Sequence, residues 1–131
     1  MVRDFCKEFI TNYTDLTILG DQGDGADALR ECLDLKPDLV IVDIRLPEVD
    51  GLEILSVLKR KLPESKVLMF TATVNPHTVR VGVKGNADGF IEKAAGLEQL
   101  KNAIEAIREG KRYYSPHIKK LIDTYIAEPH V

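Results

Sequence analysis

Short continuous apolar runs alternate along this chain with longer stretches in which apolar residues recur every three to four positions. The first spacing suits strands and the second suits one buried face of a helix. Met1 to Ile10 places Val2, Phe5, Phe9 and Ile10 on one helical face, so the chain is expected to open in a helix. Leu16 to Leu19 is a short β-favouring run, followed by the turn-rich stretch Gly20 to Gly25. Ala26 to Leu35 reads as a helix with Leu29, Cys32 and Leu33 inward, broken by Pro37. Leu39-Val40-Ile41-Val42 is apolar throughout, as a strand covered on both faces should be, and it ends at Asp43. Gly51 to Lys61 predicts a helix burying Leu52, Leu55 and Leu58, with Pro63 marking its end. Lys66 to Phe70 is the next apolar strand and runs into Thr71.

Asn75-Pro76 offers a cap followed by a proline in the first helical turn. The helix it opens is intrinsically poor, because Val79, Val81 and Val83 are β-branched and Gly82 falls in its middle. Gly89 to Glu92 is a short strand ending at Lys93. Leu97 to Glu109 carries Leu97, Leu100, Ile104 and Ile107 on one side and stops at Gly110. Ser115-Pro116 starts a last amphipathic helix with Ile118, Leu121, Ile122 and Tyr125 on one face. That stripe is either a homodimer face or a surface that packs on the domain. Strands alternating with helices at these intervals predict an α/β fold with a parallel sheet joined by right-handed crossovers.

Composition narrows the class. A chain of 131 residues with 44% hydrophobic and 30% charged residues has the balance of one soluble globular domain. Eighteen basic against 21 acidic residues give a formal charge of −3, which predicts no DNA-binding surface on these residues alone. Cys6 and Cys32 fall among helical apolar positions and read as reduced core thiols. The absence of a signal peptide or an apolar run long enough to span a bilayer predicts a cytoplasmic protein with no membrane partner.

In open parallel sheets, ligand chemistry sits beyond the carboxyl ends of the strands. Asp43, Thr71 and Lys93 follow or close three of the expected strands. A carboxylate can attack a phosphoryl group and form an acyl phosphate. The rest of such a transfer is placement of charge and hydrogen bonds around the phosphoryl oxygens. A lysine supplies a compact cation and a threonine hydroxyl a donor. A hard divalent ion with oxygen ligands completes the neutralisation.

Four segments carry a family resemblance, in the family's order. LVIVDIRLPEVDGLEIL (39–55) resembles the phosphorylation-site segment of receiver domains of two-component response regulators. VLMFTA (67–72) resembles the strand that ends in the family's Ser or Thr. NADGFIEKAA (86–95) resembles the strand with the switch aromatic and, three residues on, the site lysine. LEQLKNAIEAIREGKRYYSP (97–116) is similar to the end of NarL/FixJ-type receivers. The resemblance implies a flavodoxin-like (CheY-like) doubly wound parallel sheet, a signalling domain rather than an enzyme. It implies Asp43 as phosphoacceptor, Thr71 and Lys93 as phosphoryl-oxygen partners, and Mg²⁺ held by Asp43 and the backbone carbonyl of Arg45. Thr71 and Phe90 would form the switch, the ring turning inward on activation and altering the face of the family's fourth helix, fifth strand and fifth helix. A sensor histidine kinase is the implied partner, and regulation of transcription the implied output. DNA would be reached only through an output domain that this sequence does not contain. Residues 1–112 then form the receiver and 113–131 a linker helix toward that domain.

The chain departs from the family at its start. The family's first strand, ending in two adjacent acids that help hold Mg²⁺, has no counterpart, because Met1 to Asp4 align with the first helix. The sheet is therefore expected to lack its first strand, and Met1 to be an internal position of a longer natural protein. The alternative function is a degenerate, phosphate-independent receiver that acts as an interaction module. An aspartyl-phosphate hydrolase commonly has a second aspartate two residues after the nucleophile, where this chain has Arg45. No GxGxxG follows a strand, which excludes a dinucleotide fingerprint. Taken singly, Asp43 reads as a turn carboxylate, Thr71 as an ordinary strand end, Lys93 as a solvated lysine and Phe90 as core.

Overall fold

The computed structural model describes residues 25–42, 51–71 and 74–126. The helix expected over 1–10 and the strand over 16–19 lie outside them. The described chain runs α1 (Gly25–Leu35), β1 (Leu39–Val42), α2 (Gly51–Lys61), β2 (Lys66–Thr71), α3 (Pro76–Lys84), β3 (Gly89–Glu92), α4 (Gly96–Arg108), β4 (Tyr113–Tyr114) and α5 (Pro116–Leu121). The sheet order is β1-β2-β3-β4, and every neighbouring pair is parallel.

Strand β2 shows why the sheet takes this form. Val67 to Thr71 are all buried, so water reaches neither face, as a parallel strand between helical layers requires. Side chains alternate across it. Val67 and Met69 join Val42 and Phe90 in one core cluster with Leu55 and Leu58 of α2 and Val79 of α3. Leu68 and Phe70 join Ile91 in a second cluster with Leu100, Ala103, Ile104 and Ile107 of α4. Helices therefore cover both faces.

The element boundaries follow local chemistry. Helix α1 ends where Lys36 takes a left-handed conformation (φ 51°) and its amide bonds to the carbonyl of Cys32 at 2.8 Å; Pro37 then prevents continuation. At α3, the Asn75 side chain accepts from the Thr78 amide at 2.9 Å, and the Thr78 hydroxyl accepts from the Asn75 amide at 3.3 Å. This reciprocal cap, with Pro76 in the first turn, offsets the poor propensity of the valines. Gly110 ends α4's exit turn at φ 83°.

Three boundaries differ from the sequence expectation. Thr71 belongs to β2 and pairs with β3. Helix α4 starts at Gly96, preceded by a 3₁₀ turn over Lys93–Ala95. The last helix keeps α geometry only to Leu121 and continues as a π turn over Ile122–Ile126. A two-residue strand, β4, was not expected and pairs Gly89 with Tyr113 and Phe90 with Tyr114.

At the amino edge of the sheet, Asp88 accepts from the Val67 amide at 2.8 Å and from Lys59 Nζ at 2.5 Å. Both side chains are mostly buried, at 13% and 18% exposure. The pair ties α2 to the starts of β2 and β3.

Candidate site at the carboxyl edge of the sheet

The opposite edge carries the functional candidates. Thr71 closes β2, is fully buried and pairs in register with Glu92. Lys93 follows Glu92 directly and is half-buried at the start of the 3₁₀ turn. The hydroxyl and ammonium predicted from sequence are thus held at adjacent strand ends. Gly96 permits the turn that leads from Lys93 into α4, since its φ of 87° and ψ of 176° define a conformation open essentially only to glycine.

Asp43 follows Val42 in sequence, and Val42 pairs with Met69, two residues before Thr71. Asp43 and Arg45 lie outside the described residues. Carboxylate and carbonyl oxygens are the donors a hard ion such as Mg²⁺ takes. Among the described residues, no group of three or more His, Cys, Asp or Glu side chains could hold a metal.

Phe90 is fully buried. Its ring lies over Gly82 of α3, where an added Cβ would sit 2.6 Å from Phe90 Cε2 and 2.8 Å from Cδ2. The mid-helix glycine, which weakens α3 by propensity, is what allows the ring to lie inward. Sequence reasoning missed this pairing, since nothing local links positions 82 and 90.

The segment after β4 also reaches this strand. The Ser115 amide donates to the Phe90 carbonyl at 3.2 Å. Ile118 is fully buried in the same core cluster as Phe90, and Leu121 and Ile122 pack against that cluster. The described part of the last apolar stripe therefore packs on the domain. His117 Nδ1 lies 3.1 Å from Glu92 Oε2 and 3.2 Å from Oε1. A carboxylate only accepts, so Nδ1 carries the shared proton. His117 and Glu92 were not among the residues picked out by sequence.

An open parallel sheet with helices on both faces defines a flavodoxin-like domain, a fold in which ligand chemistry sits beyond the carboxyl edge of the strands. The chain belongs to the response regulator receiver domain family, whose sequence model matches residues 1–105. Response regulator protein VraR of Staphylococcus epidermidis is 27% identical over 118 residues, covering 90% of this chain and 56% of the relative. VraR of Staphylococcus aureus is 26% identical over the same shares. The chain thus spans little more than half the length of these curated relatives. Among solved structures, a LuxR-family two-component response regulator from an Aurantimonas species superposes with a TM-score of 0.88 at 26% identity, covering 97% of this chain and 91% of that one. The isolated REC domain of RcsB from Salmonella enterica serovar Typhimurium, with the phosphomimetic BeF₃⁻, gives 0.85 at 19% identity over 92% and 89%, a likeness of fold alone. No helix among the described residues is long and apolar enough to cross a membrane.

Proposed function

We propose that this chain accepts a phosphoryl group from a sensor histidine kinase onto Asp43. The observation that carries this reading is the pairing of Thr71 with Glu92, which holds a hydroxyl and the Lys93 ammonium at neighbouring strand ends. Both stand at the sheet edge toward which the residue that follows β1 leads. An Asp43 carboxylate oxygen attacks phosphorus and forms a new P–O bond. The P–N bond to the kinase histidine breaks, and the departing imidazole takes up a proton. The Thr71 hydroxyl donates to one phosphoryl oxygen, and Lys93 neutralises another. Mg²⁺ suits the oxygen donors assigned to it, the Asp43 carboxylate and the Arg45 carbonyl, and supplies positive charge when bound.

Occupancy of the site is read out through Thr71 and Phe90, as a local charge change that biases a two-state surface. Where such a receiver is joined to an output domain, this surface would govern that domain and, through it, transcription. The proposed division places the receiver in residues 1–112 and a linker in 113–131. The test is a titration with acetyl phosphate and with beryllofluoride, with and without Mg²⁺, read by intact mass and NMR. The expected outcome is a Mg²⁺-dependent response in the native chain that Asp43→Asn abolishes. A folded native chain that responds to neither reagent overturns the proposal.

A further inference from the structure

We propose that α5 is a latch on β3, so that docking of α5 and occupancy of the phosphoryl site favour one another. The inference rests on the phosphoacceptor reading above and adds a named element to it. The starting point is that α5 has little stability of its own. It spans six residues, far below the length at which an isolated helix stands in water. Its cap residue Ser115 makes no side-chain cap bond, and its buried hydroxyl has no hydrogen-bond partner. A helix this short, with its cap unused, stands because it is docked.

The docking contacts fall on the strand that carries the switch ring and leads into the site lysine. The Ser115 amide is bonded to the Phe90 carbonyl. Ile118 is buried in the cluster that contains Phe90 and Val79. His117 holds Glu92, the register partner of Thr71 and the residue before Lys93. The latch therefore grips β3 at its ring and at its carboxyl end. Helix α5 and the following turn pack on α3 as well as on the strand, so the ring lies within a core that α5 completes. With α5 docked, Phe90 is held inward over Gly82. The inward ring is the position the receiver resemblance assigns to the activated state, so docking and phosphoryl binding act in the same direction. Because coupling between two sites is reciprocal, the site must tighten the latch by the factor with which the latch tightens the site.

Two measurements on the full chain test this. In the first, amide exchange is followed without any ligand in the native chain and in His117→Ala, an exposed position whose loss leaves the core intact. The variant is expected to speed exchange of the 117–121 amides by about threefold, the effect of losing one part-exposed hydrogen bond. Unchanged exchange overturns the latch whatever the site binds. In the second, beryllofluoride with Mg²⁺ is titrated into both proteins. Binding is expected to slow exchange of the α5 amides in the native chain by at least about fivefold, and His117→Ala is expected to bind more weakly. Binding with no change in α5 overturns the latch and leaves the phosphoacceptor reading intact. A folded native chain that binds no beryllofluoride overturns that reading, and the coupling with it.

Discussion

Gly82 shows how one residue can lower the stability of its own element and still be required. In the interior of α3 it gives up about 1 kcal/mol of helix propensity relative to alanine. Yet a methyl group there would stand 2.6 Å from the Phe90 ring, so ring or helix would have to move. Overpacking of this kind costs about 1–3 kcal/mol. Gly82→Ala is therefore expected to destabilise the domain by up to about 2 kcal/mol net. A urea midpoint equal to or above that of the native chain would show that the ring moves aside freely. At this scale, sequence separates residues that local patterns expose from those that only the fold brings together. The strand-end positions of Thr71 and Lys93 were legible because one closes a short apolar run and the other follows within two residues of one. The His117–Glu92 contact was not, because its partners are 25 positions apart and no local pattern links them.

Among the elements, α3 and β4 mark where pattern reading succeeds and where it stops. The cap of α3 was legible in Asn75-Pro76, although the Thr78 hydroxyl that closes the box was not. Three valines argued for a poor helix, but burial of Val79 and Gly82 overrides propensity, as tertiary packing commonly does. Strand β4 is two residues long, too short for a period of two to register. It exists because Tyr113 and Tyr114 find the open side of β3. The junction of α2, β2 and β3 depends on a polar clamp instead. Asp88→Asn removes the charge from an acceptor shared by the Val67 amide and Lys59. Hydrogen bonds to charged groups contribute about 1.5–3 kcal/mol. The variant is expected to lose about 1–3 kcal/mol in chemical denaturation while keeping its sheet signal in circular dichroism. A loss below about 0.5 kcal/mol would mean that the clamp behaves like an exposed pair.

Over the whole molecule, the alternating order of strands and helices was enough to predict a parallel sheet with helices on both faces. The fate of the last helix was not readable, because a stripe that docks on its own domain and one that docks on a second copy have the same spacing. The structure distinguishes them at Ile118, which has no exposed surface. Ile118→Ala is accordingly expected to destabilise the entire domain by about 2–5 kcal/mol. If only the last helix loosened, with the global unfolding midpoint unchanged, residues 113–126 would be an appendage rather than part of the core.

Burial of Ile118 also has a consequence for the protein as it is made. Synthesis proceeds from the amino end at about 5–20 residues per second, so every earlier strand and helix leaves the ribosome before the side chain that closes the cluster around Phe90 and Val79. During that interval the nascent domain presents apolar surface, and the amide edge of β3 waits for Tyr113 and Tyr114. Translation arrest before residue 113 would release a product with both features uncovered, a natural substrate for chaperones and proteases.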